Sequence, residues 1–174
     1  MGKTERTRVV VLEPNERWRQ HLKLLIGETS GLACAEVAQR LDQIIPVLSD
    51  GGADLVLVGF QEGGFPSALV AEVRRLAPSI PIVTVGFVEK SQLLISLLVS
   101  GADAVISKDE SSLHVLEAIE IVRKGGVYLS VSLARLLVDA LRTNIGERSD
   151  LGGLSPREKE VLQWLATGLT DHQI

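Results

Sequence analysis

The feature that most constrains the fold of this chain is a strict alternation between short apolar runs and longer segments of helical periodicity. The apolar runs are rich in β-branched residues, which is typical of strands buried on both faces. Between them, apolar side chains recur every three or four residues, which places them on one face of a helix. The predicted strands cover residues 9–12, 32–38, 55–58, 80–85 and 104–106. The predicted helices cover residues 18–26, 41–48, 68–76, 90–100 and 111–124.

This alternation predicts an α/β fold in which helices cover both faces of a parallel sheet. Because crossover connections are right-handed, five such units favour a flavodoxin-like, doubly wound sheet of five strands in the order 2-1-3-4-5. Functional groups in such folds gather at the carboxyl ends of the strands. Those ends are marked here by Glu13, Gly59, Gly86 and Lys108.

Composition excludes several classes of protein. The 174 residues are 45% apolar and 23% charged, which suits a globular domain with an appendage, and the net charge of −4 argues against a nucleic-acid-binding surface over the whole chain. Cys34 is the only cysteine, and His21, His114 and His172 are dispersed, so we predict no metal site, no cofactor and no catalytic residues. No run of about 18 apolar residues occurs. We expect a cytoplasmic protein that is not an enzyme and does not enter a membrane.

The pattern changes after the Gly125-Gly126 pair. Apolar residues at positions 133–141 predict a further amphipathic helix, and residues 146–153 have the composition of a linker. Ser155, Pro156 and Glu158 then form the start signal of another helix, with a capping box. We therefore predict a main domain at residues 1–130, a linker helix and linker at 131–153, and the beginning of a helical module at 154–174.

Four motifs carry a resemblance to a known family: Gly101-Ala102-Asp103, Ser107-Lys108-Asp109, Gly126-Val127-Tyr128-Leu129-Ser130, and the C-terminal stretch LSPREKEVLQWLATGLTDHQI. With the order of the elements, they make the chain resemble the NarL/FixJ-type response regulators, and residues 154–174 resemble the opening of a LuxR-type helix-turn-helix domain. The recognition helix would follow Ile174, so we interpret the chain as a fragment. The resemblance implies that the full-length protein binds duplex DNA, but not through this chain.

The resemblance also locates a phosphorylation pocket, from which this sequence departs. The phosphoacceptor aspartate of the family corresponds to Gly59, so we predict that the chain has no phosphoacceptor. The adjacent acidic pair after the first strand is reduced to Glu13 followed by Pro14. Magnesium binding in the family uses these carboxylates, and most of that oxygen ligand set is missing here.

Further departures affect the same pocket. The hydroxyl residue after the fourth strand corresponds to Gly86, its small neighbour to Phe87, and the aromatic switch residue of the fifth strand to Val105. Only Lys108 keeps the identity found in the family. In such a vestigial pocket, Lys108 either pairs with Glu13 in a structural role, which we favour, or contacts a ligand.

The fourth predicted helix is unusually apolar, with six apolar residues among the seven positions 93–99. At helical spacing they sweep about 240°, more than the single stripe of a surface helix. One interpretation is a helix packed deep in the core. We favour the other, an apolar surface for dimerisation or partner docking formed by Leu93, Leu94, Leu97 and Leu98. Charged substitution of its outward-facing leucines should then dissociate a homodimer without unfolding the monomer.

These observations lead to one functional hypothesis and one alternative. The hypothesis is an atypical, phosphorylation-independent transcriptional regulator. Its receiver-like domain would dimerise, or would sense a protein partner or a small ligand. The alternative is a protein-interaction module that modulates another regulator without binding DNA itself.

Overall fold

The computed structural model describes residues 6–61 and 64–147, with side chains to residue 142. Its strands are β1 (Thr7–Leu12), β2 (Leu32–Ala38), β3 (Leu55–Gly59), β4 (Ile82–Gly86), β5 (Ala104–Ser107) and β6 (Tyr128–Leu129). Its α-helices are α1 (Glu16–Glu28), α2 (Ile45–Ser49), α3 (Pro66–Leu76), α4 (Ser91–Val99), α5 (Leu113–Arg123) and α6 (Val131–Glu147). The strands of this part of the chain form one parallel sheet in the order β2-β1-β3-β4-β5-β6.

The predicted α/β fold and the order of its first five strands are confirmed, and two local predictions are wrong. The sheet has a sixth strand, β6, which pairs with β5 through only two residues and is too short to show a period in the sequence. The predicted second helix is divided into a 3-10 turn at Leu41–Gln43 and the short α2. Pro46 explains the division, because proline has no backbone N–H and is favoured only in the first turn of a helix.

Two apolar cores lie on opposite faces of the sheet. Successive strand residues alternate between the faces, so that Val10 and Leu12 enter one core while Val9 and Val11 enter the other. Helices α1 and α5 cover the core that contains Val9. Helices α2, α3, α4 and α6 cover the core that contains Val10. The carboxyl ends of the strands are therefore held between two packed layers.

The predicted dimerisation surface on α4 is wrong for three of its four leucines. Leu94, Leu97 and Leu98 are buried within the chain, and Leu93 is partly buried against the same core. The physical reason is α6, which packs on α4 and contributes Leu133 and Leu137 to this core. The deep-packing interpretation of the apolar helix is the one that the structure confirms. Charged substitutions there would disrupt the monomer itself.

At the amino ends of the strands, the Gly101-Ala102-Asp103 motif forms a clip with α3. Arg74 donates hydrogen bonds to the Gly101 carbonyl and to Asp103 Oδ2, each at 2.7 Å. The Ile82 N–H also donates to Asp103 Oδ2, at 2.8 Å. Gly101 has a φ of +106°, a conformation that favours glycine. This clip lies at the edge of the sheet opposite the candidate site.

The C-terminal predictions can be followed only in part. Helix α6 continues to Glu147, so the helix extends into the segment that we predicted to be linker. The predicted helix-turn-helix segment, residues 154–174, lies outside the described residues. Among the helices that the structure describes, none has the length and apolarity needed to cross a membrane.

Candidate functional site

The carboxyl ends of four strands bring Glu13, Gly59, Gly86 and Lys108 together. Glu13 follows β1, whose direction it continues by donating its N–H to the Ala38 carbonyl at 3.0 Å. Lys108 follows β5 and donates its N–H to the Gly86 carbonyl at 3.1 Å. Gly59 and Gly86 are the last residues of β3 and β4. The sheet thus places these residues at one edge, as the strand order predicts.

A buried ion pair forms the centre of the site. Lys108 Nζ lies 2.7 Å from Glu13 Oε2, and the two side chains are 1% and 0% exposed. The ammonium also donates to the Phe60 carbonyl at 3.1 Å, and Glu13 Oε1 accepts the Asn15 N–H at 2.8 Å. The ring of Trp18 lies over Lys108, with 5.2 Å between Nζ and the ring centroid. The pairing that we predicted for Lys108 is confirmed, and each charge has a compensating partner.

The Glu13 carboxylate fills the space that a side chain at position 59 would need. A Cβ atom on Gly59 would lie 1.8 Å from Glu13 Oε2 and 2.5 Å from Glu13 Cδ. Both distances are far below van der Waals contact, so Glu13 in this position requires a residue without a side chain at position 59. The carboxylate of this pocket therefore projects from β1, and β3 contributes only backbone beside it.

Phe60 fills the neighbouring space in the same way. A Cβ atom on Gly86 would lie 2.2 Å from Phe60 Cε2 and 2.3 Å from Cζ. The Phe60 ring is 4% exposed and belongs to the core on the α4 side of the sheet. Sequence reasoning missed this residue. The sequence did contain a signal: a large aromatic residue comes directly after β3, and the neighbouring strand β4 ends in glycine. An aromatic ring can cover the bare backbone of a glycine on the adjacent strand.

The remaining predicted pocket residues occupy different environments. Pro14 is exposed, and its carbonyl accepts a hydrogen bond from Arg19 Nη1 at 3.1 Å. Phe87 is 38% exposed and lines an open surface depression above the ion pair, together with Asn15, Trp18, Gln61 and Lys108. Val105 is fully buried inside the core on the α4 side. The structure thus groups Glu13, Gly59, Gly86 and Lys108, places Phe87 at their rim, and separates Val105 from the surface.

The arrangement limits the chemistry of this site. Both oxygens of Glu13 are already hydrogen-bonded, one to an ammonium group and one to a backbone N–H. Within the described residues, no group of three or more His, Cys, Asp or Glu side chains is placed to hold a metal ion. The side chain at position 59 that would act as a nucleophile is absent. The fold and the site together define a receiver-like domain in which side chains of the domain itself fill the pocket.

Sequence comparison finds response regulators that resemble this chain. It is 24% identical over 176 residues to the nitrate/nitrite response regulator protein NarL of Escherichia coli (strain K12), a match that covers 100% of this chain and 82% of NarL. It is 39% identical over 79 residues to a nitrate/nitrite response regulator protein homolog of Haemophilus influenzae, covering 45% of this chain and 36% of that protein. No protein-family model matches the chain.

Solved structures show the same fold. The response regulator RcsB of Salmonella typhimurium matches with a TM-score of 0.73 at 18% identity, over 94% of this chain and 79% of RcsB. A LuxR-family two-component response regulator from Aurantimonas sp. matches with a TM-score of 0.71 at 16% identity, over 78% of this chain and 97% of that one. The sequence relatives and the shared fold both support the resemblance of this chain to NarL/FixJ-type response regulators.

Proposed function

We propose that this protein is an atypical, phosphorylation-independent response regulator that controls transcription from the cytoplasm. Its receiver-like domain would serve as a homodimerisation module or as a sensor of a protein partner or small ligand. The observation that carries the proposal is the position of Glu13, whose carboxylate lies 1.8 Å from where a Cβ atom of residue 59 would be. Phosphoryl transfer needs both an acceptor and a positioned space for the phosphoryl group. Here glycine occupies the acceptor position, and the Glu13 carboxylate fills the space beside it.

Relatives support the transcriptional part of the proposal. RcsB has been solved as two dimers bound to two parallel DNAs, and NarL is a nitrate/nitrite response regulator. The C-terminal stretch from Leu154 to Ile174 resembles the start of a LuxR-type helix-turn-helix. We therefore propose that the full-length protein binds duplex DNA as a homodimer.

The proposal is tested by offering the chain acetyl phosphate and magnesium, beside a receiver domain with an intact phosphoacceptor aspartate as positive control. We expect no acid-labile phosphoryl label on the unmodified chain. We also expect none on a Gly59→Asp variant, because Glu13 occupies the space beside that position. Acid-labile labelling of the unmodified chain would refute phosphorylation independence.

DNA binding separates the proposal from its alternative. The full-length protein should bind duplex DNA with an affinity that falls as salt rises, since phosphate contacts release counterions. A full-length protein that associates with another regulator but does not bind duplex DNA would favour the alternative, a protein-interaction module.

A further inference from the structure

The filled pocket depends on residues that match one another in size. The Glu13 carboxylate lies against the bare backbone of Gly59, and the Phe60 ring lies against that of Gly86. In both places a large side chain from one strand end occupies the volume that a neighbouring strand end leaves free. The carboxylate at the centre of the site comes from Glu13 after β1, and β3 supplies none.

Lys108 connects this carboxylate to the rest of the strand ends. Its ammonium group binds Glu13 after β1 and the Phe60 carbonyl after β3, and its backbone N–H binds Gly86 at the end of β4. Since Lys108 itself follows β5, one residue joins the carboxyl ends of four strands. The loops that leave these strands are fixed relative to one another through this single residue, by its side chain at β1 and β3 and by its backbone at β4.

The burial of this pair distinguishes it from other ion pairs of the described residues. The Arg74–Asp103 pair, for comparison, has side chains that are 27% and 29% exposed, whereas Lys108 and Glu13 are 1% and 0% exposed. Fully buried ion pairs are often no more stabilising than apolar residues of the same volume, but breaking one is costly because it leaves an unpaired charge. Such a pair strongly favours the one arrangement in which both charges are satisfied.

We propose that Glu13 is a positioning residue. Its carboxylate is a built-in ion-pair partner that holds Lys108, and with it the loops after β3 and β5, in one conformational state. This inference rests on the proposed function, in which no phosphoryl group enters the pocket. A ligand can shift a two-state equilibrium only through its differential affinity for the states. The Glu13 carboxylate is part of the chain, so it favours the state with Lys108 paired without any ligand having to bind.

Hydrogen–deuterium exchange of the whole 174-residue chain tests the proposal without any phosphate donor. In Glu13→Gln, which removes the charge but conserves the shape, we expect the hydrogen-bonded backbone amides of Phe60, Asp109 and Glu110 to exchange about tenfold faster or more. The matched control is Asp103→Asn, which weakens the clip at the opposite edge of the sheet. With the two variants compared at equal global stability, the control should leave these loops at the rate of the unmodified chain. Equal acceleration in both variants would reduce Glu13 to a general stability role and overturn the proposal.

A charge transposition gives the second arm of the test. In the double variant Glu13→Ala and Gly59→Asp, the single carboxylate returns to β3. The Cβ atom of the new aspartate would lie 1.8 Å from the present position of Glu13 Oε2. That oxygen is 2.7 Å from Lys108 Nζ, so the aspartate carboxylate can reach the ammonium group. We expect exchange at positions 109–110 to slow by about tenfold relative to Glu13→Ala alone. A double variant that exchanges as fast as Glu13→Ala would overturn the proposal.

A third variant covers the case in which Glu13→Gln does not fold because Lys108 is left buried and unpaired. Glu13→Gln with Lys108→Met removes both charges and should fold. We expect fast exchange at positions 109–110 in this variant, and slow exchange would show that the ion pair is not the constraint. Failure of this proposal is distinguishable from failure of the proposed function, because phosphoryl labelling of the unmodified chain is a separate readout.

Discussion

The contact between Phe60 and Gly86 makes a sharp prediction about Gly86→Ala. The alanine Cβ atom would lie 2.2 Å, 2.3 Å and 2.4 Å from three atoms of the Phe60 ring. Gly86 is not among the glycines of positive φ, so its backbone conformation accepts alanine and the cost is steric alone. The variant therefore measures whether the ring fills this space.

The size of the effect follows from how firmly Phe60 is held. Non-bonded carbon atoms separate to about 3.5–4.0 Å, so the ring has to withdraw by more than about 1 Å. Its own backbone resists this shift, because the Phe60 N–H donates to the Val85 carbonyl at 3.0 Å and its carbonyl accepts from Lys108 Nζ at 3.1 Å. Overpacking of this kind costs about 1–3 kcal/mol, so we expect the free energy of unfolding to fall by about 2 kcal/mol.

Urea denaturation with a double-mutant cycle provides the assay. Phe60→Ala alone should lower the free energy of unfolding by about 3–5 kcal/mol. On that background, Gly86→Ala should be neutral or stabilising, since the clash is gone and alanine is preferred to glycine in a strand by about 0.5–1 kcal/mol. The matched control is Gly27→Ala on α1, where a new Cβ atom meets no heavy atom within 4 Å. It should stabilise the chain by about 0.5–1 kcal/mol.

The decisive quantity is the coupling between positions 60 and 86. We expect a coupling energy of about 2 kcal/mol or more, with unchanged m-values. Additive effects of the two substitutions, within about 0.5 kcal/mol, would refute the conclusion that the Phe60 ring occupies the space beside Gly86.

Two further predictions concern other parts of the chain. Leu137→Ala should lower the free energy of unfolding by about 2–5 kcal/mol, because this α6 side chain is 3% exposed and packs into the core. Arg135→Ala on the exposed side of the same helix should change it by less than about 0.5 kcal/mol. Equal effects in urea denaturation would contradict the packing of α6 on α4. Hydrogen bonds from Arg8 hold the pKa of Asp54 below its ordinary value. The pair therefore stabilises the fold at pH values above the unfolded-state pKa of Asp54, and this stabilisation is lost as pH falls through the lower folded-state pKa. Between about pH 7 and about pH 3, the Asp54→Asn variant should therefore lose less of its free energy of unfolding than the unmodified chain. Equal losses in parallel pH titrations of stability would contradict this prediction.

The fold was accessible from the sequence because its signals are long and repeated. Five apolar runs separated by helical periods define a parallel sheet, and the first five strands have the predicted order. The sixth strand, Tyr128–Leu129, escaped because a pairing of two residues has no periodicity to read. The role of α4 escaped for a different reason: its apolar breadth was visible, but the sequence does not specify that α6 returns to cover it.

The candidate site was predictable in its location but not in its packing. Parallel strands bring their carboxyl ends to one edge, which placed Glu13, Gly59, Gly86 and Lys108 together. Pairing of opposite charges was also foreseeable, because a buried lysine needs a partner. That Glu13 and Phe60 take the space beside the two glycines depends on side-chain conformers and on separations of less than 3 Å, which residue types alone do not determine.

The two glycines are therefore not simple deletions of side chains from the strand ends. A bare deletion of side chains at a strand edge would leave a cavity, and cavities are destabilising in proportion to their volume. At Gly59 and Gly86 the volume is filled by Glu13 and Phe60. Each glycine is thus matched in size to its large neighbour, since adding a side chain at the glycine produces a clash and removing the neighbour leaves a void. We expect an aspartate introduced at Gly59 alone to clash with Glu13, so the compensating change belongs at Glu13, which follows another strand, β1.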